Sequence, residues 1–173
     1  MAPLNLQLDH AAHRPGARPL ALRLLADDVE IALNVGALFR IADALGVEHL
    51  HLSGSSPVPP DPKIRKAARS ADKAVAFSHG ADPLAVVAAL KPQGWRIVSL
   101  ELSTRSIALR ELAVAPGDRV CLVLGAENTG VCQALLDASD ATVHIPMRGY
   151  NSSMNVANAC AIALWEIGGK LAG

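Results

Sequence analysis

The chain has 173 residues, of which 51% are hydrophobic and 3% aromatic, and its 16 basic and 16 acidic side chains give a formal net charge of zero. This length suits one domain with a core of Ala, Val, Leu and Ile, and the scarcity of aromatic rings argues against base recognition on aromatic platforms. The neutral balance excludes a uniformly basic nucleic-acid coat protein, although it permits a local basic surface.

Residues 1–18 are polar and contain proline, which predicts a flexible N-terminal arm before a single domain over residues 19–173. Apolar periodicity then predicts strands that alternate with helices. In chain order they are strand 19–25, helix 34–45, strand 47–52, helix 63–70, strand 74–77, helix 83–90, strand 95–100, strand 119–124, helix 129–138, strand 142–145 and helix 153–167. This order favours an α/β fold with a Rossmann-like, mostly parallel sheet.

Individual residues predict where several elements end. Gly46 is expected to end the first helix and Asn34 to cap it, while Asp82 caps helix 83–90. The pair Gly168-Gly169 is expected to stop the last helix. Four prolines between residues 53 and 62 predict an exposed loop.

The cysteines and the hydrophobicity of the chain indicate in which cellular compartment the protein is expected. Cys121, Cys132 and Cys160 show no CxxC spacing and have apolar neighbours, so we expect three core thiols in a reducing compartment and no metal. No signal peptide is visible, and no apolar run reaches the ~20 residues of a membrane span. A cytoplasmic protein is expected. Trp95 and Trp165 are interpreted as anchors of the core or of a dimer interface.

Two polar loops lie between predicted strands and helices. Gly125 follows a buried strand, where a glycine lets a ligand approach the backbone. The second loop, 145–155, is rich in backbone amides and small polar side chains before the last helix, where free N–H groups and the helix dipole gather. Neither loop matches a dinucleotide or NTP fingerprint. The alternative for the first is a plain strand–turn–helix capped by Asn128 or Thr129.

These loops, together with helix 34–45, carry three short motifs in a characteristic order. The first is Asn34, Gly36 and Arg40; the second is Gly125, Glu127, Asn128 and Gly130; the third is residues 145–147, Gly149 and Ser153-Met154-Asn155. In this order they resemble the three motifs of the SpoU/TrmH family of RNA 2′-O-methyltransferases in the SPOUT superfamily. Met154 replaces the usual leucine and preserves its apolar volume. The resemblance covers about residues 19–170.

The resemblance implies a SPOUT fold, in which a Rossmann-like parallel sheet carries a C-terminal deep trefoil knot, and a homodimer formed across the knot. It also implies S-adenosylmethionine as cofactor and no metal. The implied cofactor-binding residues are Leu100, Gly125, Ile145, Met147 and Met154. The implied catalytic residues are Arg40, Asn34, Glu127, Ser153 and Asn155.

A basic stretch provides the expected RNA-binding surface. Lys63, Arg65, Lys66 and Arg69 follow the proline-rich loop, where they predict contact with the RNA backbone. The alternative is a solvated helix face. Tyr150 is a further candidate for RNA contact. The substrate is expected to be tRNA or rRNA, with compact members of the family favouring tRNA.

Two other functions compete with methylation of a ribose 2′-hydroxyl. The chain could be a non-catalytic RNA-binding or assembly factor that has kept the SPOUT fold, although its complete motifs argue against lost activity. An ordinary Rossmann-like oxidoreductase or hydrolase is disfavoured because the nucleotide and nucleophile-elbow motifs are absent.

Overall fold

A computed structural model describes residues 4–9, 12 and 19–173, and most of the predicted arm over residues 1–18 lies outside the described residues. Within them, seven strands form one sheet in the order β3-β2-β1-β6-β4-β7-β5, and every neighbouring pair is parallel. The strands are β1 (Leu20–Asp27), β2 (Val47–Ser53), β3 (Phe77–Gly80), β4 (Arg96–Leu100), β5 (Ile107–Ala108), β6 (Val120–Leu124) and β7 (Ala141–His144).

Helices cover both faces of the sheet. They are α1 (Ala32–Ala44), α2 (Pro62–Ala68), α3 (Ala71–Ala74), α4 (Pro83–Leu90), α5 (Gln133–Ala138) and α6 (Val156–Ala172). Helices α1, α2, α3 and α6 pack in one core, and α4 and α5 pack in the other. The expected α/β fold with a parallel sheet is therefore confirmed.

Strand β6 contributes side chains to the hydrophobic cores on both faces of the sheet. Val120, Leu122 and Leu124 belong to the core under α1 and α6, whereas Cys121 and Val123 belong to the core under α4 and α5. All five are buried. An unbroken apolar run is what a central parallel strand needs, because water reaches neither face.

The last helix differs from its prediction at both ends. It begins at Val156 instead of residue 153, and it continues through Gly168 and Gly169 to Ala172. A Cβ atom on Gly168 would lie 3.2 Å from Cδ1 of Leu20, so the missing side chain lets α6 pass close to β1. The prediction that these glycines stop the helix was wrong because Gly168 serves packing instead of termination.

The third strand and the fifth helix also lie later in the chain than predicted. Residues Ala71–Ala74 form α3, and β3 follows at Phe77–Gly80. As an edge strand with Ser78 and His79 exposed, β3 lacks the apolar alternation that would have revealed it. Helix α5 begins at Gln133 instead of residue 129, because residues 126–130 close a turn of their own.

The tryptophans and cysteines divide between core and surface. Trp95 is buried between the guanidinium groups of Arg23 and Arg119, which lie 4.4 and 4.5 Å from the ring centroid. Trp165 is 73% exposed, so it is not a core residue of the protomer. Cys121 and Cys160 are buried, but Cys132 is exposed, contrary to its prediction. Among the described residues, no helix is both long and apolar enough to cross a membrane.

Two partly buried histidines lie on the same face of β2. The rings of His49 and His51 lie 4.3 Å apart, and His49 Nε2 and His51 Nδ1 each lie 3.0 Å from Ser78 Oγ. Burial, followed by the positive charges of His49 and Arg23, lowers the pKa of His51 to about 4. The folded protein therefore keeps this imidazole neutral near pH 7.

The His51 pKa predicts a loss of stability in mild acid. The unfolded chain binds a proton at His51 near the ordinary pKa of 6.5, whereas the folded chain binds it only near about 4. The free energy of unfolding therefore falls as the pH decreases through this interval. His51→Gln removes this contribution, so urea denaturation at pH 7 and pH 5 should show a smaller loss for the variant than for the wild-type chain. An equal decrease in the free energy of unfolding of both proteins would contradict the lowered pKa of His51.

Candidate active site

A cavity of about 460 Å³ lies at the carboxyl ends of β4, β6 and β7, beside the first turns of α1 and α6. Its walls come from residues 31, 34, 100–102, 124–130, 144–145, 147, 152–156 and 159. Ligands of open α/β sheets bind at this edge. All five residues predicted to bind the cofactor line this one cavity: Leu100, Gly125, Ile145, Met147 and Met154.

The predicted catalytic residues divide between the cavity and the surface. Asn34, Glu127, Ser153 and Asn155 line the cavity. Arg40, two turns further along α1, is exposed and does not line it. The structure therefore brings four of the five together and leaves the arginine outside the cavity of its own protomer.

The carboxylate of Glu127 joins the second motif to the first. Its Oε1 accepts hydrogen bonds from Asn34 Nδ2 at 2.8 Å and from the backbone N–H of Ile31 at 3.2 Å, and its Oε2 accepts from the N–H of Glu30 at 3.1 Å. Glu30 and Ile31 immediately precede α1 and Asn34 lies in its first turn, so Glu127 holds the start of this helix from another segment of the chain. The prediction that Asn34 caps α1 was wrong, because Ile31 occupies the cap position and Asn34 lies inside the helix.

The amide of Asn155 joins the third motif to the same residues. Its Nδ2 donates to Asn34 Oδ1 at 3.1 Å, and its Oδ1 accepts from the backbone N–H groups of Ala157 and Asn158 at the start of α6. Asn155, not Ser153, is therefore the N-cap of α6. We call Glu127, Asn34 and Asn155 the bridging network, since it connects the three motifs in one line of hydrogen bonds.

The bridging network determines the protonation of Glu127. Partial burial alone would raise the pKa of this carboxyl, but the hydrogen bonds from Asn34 and from backbone N–H groups outweigh it and hold the pKa below its ordinary value. Glu127 is therefore ionised at neutral pH and already engaged by donors. Such a carboxylate is a poor general base and a good positioning group.

The second motif forms a tight turn on the cavity wall. Ala126 and Gly130 exchange backbone hydrogen bonds of 3.2 and 2.9 Å, and Gly130 has φ +69°, which favours glycine. A Cβ atom on Gly125 would overlap the backbone of Gly130. The two glycines thus let the turn fold back on itself beside the cavity.

The charges of the cavity are unusual for a nucleotide site. Among the described residues that line it, Glu101 and Glu127 are acidic, and none is Lys or Arg. The charged side chains that a phosphate-bearing ligand would meet here are carboxylates, whereas a cationic ligand would be attracted to them. Glu101 and His144 were not predicted as site residues. Their position at or next to the carboxyl ends of β4 and β7 is the signal that could have identified them.

The predicted RNA-binding residues lie outside the cavity. Lys63, Arg65 and Lys66 are exposed on α2, which packs against α1. Arg69 follows α2 in a left-handed conformation with φ +51°. Tyr150 is fully exposed in the loop that leads to α6. In the part of the chain that the structure describes, no group of three or more His, Cys, Asp or Glu could hold a metal ion.

An apolar surface adjoins the site. Ile162 and Trp165 of α6 are exposed, and they border a groove of about 520 Å³ together with Leu45, Leu109 and Pro146. Ile145 lines both this groove and the cavity. Large apolar side chains grouped in this way mark an interaction surface.

Comparison with known proteins identifies relatives of the whole described domain. The model of the SpoU rRNA Methylase family matches residues 21–165. The tRNA (guanosine(18)-2′-O)-methyltransferase of Escherichia coli (strain K12) is 32% identical over 148 residues, which are 84% of this chain and 62% of that relative. The chain therefore spans less than two thirds of the length of that curated relative.

Two solved structures extend the comparison. The SpoU methyltransferase AviRb from Streptomyces viridochromogenes, in complex with the cofactor AdoMet, superposes with a TM-score of 0.79 at 27% identity, over 91% of this chain and 63% of that one. A structure on the 2-OH methylation of C/U34 on tRNA superposes with a TM-score of 0.75 at 31% identity, over 88% of this chain and 97% of that one.

The two functions of Asn155 can be separated by substitution. Asn155→Ser keeps a capping oxygen for α6 but is too short to reach Asn34, whereas Asn155→Ala removes both interactions. We expect Asn155→Ala to lower the free energy of unfolding by about 1 kcal/mol more than Asn155→Ser, which is the usual contribution of an N-cap. Urea denaturation of both variants measures this difference. Equal stability of the two would contradict the capping role of the side chain.

Proposed function

We propose that this chain, which belongs to the SpoU rRNA methylase family, transfers a methyl group from S-adenosylmethionine to the 2′-hydroxyl of a ribose in structured RNA. The observation that carries the proposal is the cavity itself. It is lined by all three family motifs, it is acidic, and four of the five residues expected for catalysis meet there. Residues 19–173 are proposed to act as a single methyltransferase domain.

The donor set of the cavity fits S-adenosylmethionine. Leu100, Ile145, Met147 and Met154 offer apolar contacts, while the turn at Gly125 offers backbone groups at close range. The carboxylates of Glu101 and Glu127 favour a ligand with positive charge. When bound, the cofactor supplies an activated methyl group on a sulfonium for in-line displacement by the ribose oxygen.

Arg40 is proposed to act on the nucleophile side of the reaction. A guanidinium holds its protons too tightly to be an efficient base, but it stabilises a developing alkoxide and binds an adjacent phosphate. The proton of the 2′-hydroxyl then leaves to water or to a phosphate oxygen. Because Glu127 is ionised and occupied by donors, we assign it and Asn155 to positioning the two helix starts around the substrate.

The position of Arg40 supports a homodimer with shared sites. Arg40 is exposed and lies outside its own cavity, and the exposed apolar surface around Ile162 and Trp165 borders the Ile145 wall of that cavity. We propose that two protomers meet on this surface and that each contributes Arg40 to the cavity of the other. The C-terminal deep trefoil knot of the SPOUT fold, through which the last helix would pass, remains a prediction.

Structured RNA is proposed to lie across α2. Its exposed cations are the natural partners of phosphates, and α2 packs against the helix that carries Arg40. The relatives include enzymes of both tRNA and 23S rRNA. We favour tRNA, because the structure on tRNA C/U34 methylation matches this chain over 97% of its own length.

A methyl-transfer assay tests the proposed function. The purified chain is incubated with radiolabelled S-adenosylmethionine and with separate pools of unmodified tRNA and rRNA. We expect label in tRNA, and we expect Arg40→Ala to lower the rate by about 10²–10³-fold with unchanged cofactor affinity, as for loss of an oxyanion donor. Arg40→Lys, which keeps the charge, should retain more activity than Arg40→Ala. Cofactor binding without transfer to either pool would favour the non-catalytic RNA-binding alternative.

Mixing two inactive variants tests the shared site. Arg40→Ala has an intact cavity, and Glu127→Ala has an intact arginine. If Arg40 acts across the interface, each heterodimer contains one complete site, and about half of the dimers in a randomly mixed equimolar sample are heterodimers, so the sample recovers about a quarter of wild-type activity. If Arg40 acts within its own protomer, every site in the mixture has one defect and no activity returns. Each variant alone must be dimeric and inactive, which sedimentation and the same assay establish.

A further inference from the structure

Glu101 lies immediately after β4 and faces the glycine turn of the second motif. Its Oε2 accepts a hydrogen bond from the backbone N–H of Val131 at 2.9 Å, and its Oε1 accepts one from the N–H of Leu102 at 2.9 Å. The side chain is partly buried, and it lines the cavity. One carboxylate thus ties the carboxyl end of β4 to the loop that follows β6.

The turn is shaped to receive this carboxylate. A Cβ atom on Gly130 would overlap Oε2 of Glu101, so the glycine leaves the space that the carboxylate fills. Gly130 also adopts φ +69°, which places the next N–H, that of Val131, toward Glu101. Contact and conformation therefore point to the same partnership between Glu101 and residues 130–131.

The contact fixes one wall of the cavity relative to another. Leu100 and Leu102 flank Glu101, and Gly125 to Gly130 form the facing wall. Strands β4 and β6 are neighbours in the sheet, but their hydrogen-bonded register ends at Ser99 and Val123. Beyond that point, the carboxylate of Glu101 connects the two walls through the backbone N–H of Val131.

We propose that Glu101 is a positioning residue that clamps the glycine turn and thereby sets the affinity for the methyl donor. The inference rests on the proposed function, since it names the donor as the ligand of this cavity. Glu101 acts through the turn and not on the reacting atoms. Its loss should therefore weaken cofactor binding and spare the rate at saturating cofactor.

Two variants and one control test the clamp. Glu101→Ala removes both acceptors and should raise the Kd for S-adenosylmethionine by roughly tenfold, the usual effect of losing a hydrogen bond to a charged group. Glu101→Gln keeps one acceptor oxygen but turns an amide NH₂ toward a backbone donor. Its Kd for S-adenosylmethionine should therefore lie between the values of the wild-type chain and of Glu101→Ala. Glu111→Ala is the matched control, because Glu111 also accepts a backbone N–H but lies outside the cavity.

A double-mutant cycle makes the test specific to the contact. Gly130→Ala should weaken binding by itself, because its methyl group meets Glu101. In Glu101→Ala/Gly130→Ala the methyl group enters vacated space, so the combined change in Kd should be smaller than the product of the two single changes. A change in Kd of the double variant equal to the product of the two single changes would overturn the proposed role of Glu101. An unchanged Kd in Glu101→Ala would also overturn it.

Hydrogen exchange at Val131 keeps the clamp testable apart from the cofactor. Loss of amide protection at Val131 in Glu101→Ala, with protection unchanged in Glu111→Ala, supports the clamp. Protection that survives in Glu101→Ala overturns it. A wild-type chain that binds no S-adenosylmethionine would refute the proposed function, and the exchange at Val131 would then decide the clamp alone.

Discussion

The carboxylate of Glu127 is the interaction on which the site depends. It takes up donors at the start of α1 and reaches Asn34, which in turn accepts from the N-cap of α6. The partners are 93 and 121 residues apart along the chain, so no local tendency could bring them together. Asn155 also caps α6, and Glu127 also accepts from the backbone N–H groups of the two residues that precede α1. The hydrogen bonds of the bridging network therefore maintain both the geometry of the site and the N-terminal ends of α1 and α6.

The distribution of charge follows from this arrangement. Described residues that line the cavity include two carboxylates and no Lys or Arg, whereas Arg40 of α1 and the cations of α2 are exposed outside the cavity. Such a division suits two ligands of opposite charge, a cationic methyl donor inside and a polyanionic RNA outside. Reaction between them requires a cation to approach the mouth of an acidic cavity. The proposed supply of Arg40 by a second protomer would meet this requirement without placing the arginine beside the carboxylates of its own chain.

Residue patterns predicted most of the site and only part of the fold. Buried strands such as β6 and capped helices such as α4 follow from local periodicity and capping, and the family resemblance named Leu100, Gly125 and Met154, which line one cavity in the structure. Errors arose where tertiary contacts override local preference. Gly168 continues a helix because α6 must pass close to Leu20, and β3 carries no apolar alternation because it lies at the edge. Glu101 was missed because its partner, the N–H of Val131, lies on another strand's loop.

The most direct measurement of the central claim is a calorimetric titration of the purified chain with S-adenosylmethionine, S-adenosylhomocysteine, ATP and NAD⁺. An acidic cavity built from the three motifs predicts binding of one S-adenosylmethionine per protomer and no measurable binding of ATP or NAD⁺ at the same concentrations. It also predicts that Glu127→Ala, which removes a carboxylate and its hydrogen bonds to the start of α1, weakens that binding. Tight binding of a phosphate-bearing nucleotide with no binding of S-adenosylmethionine would contradict the account.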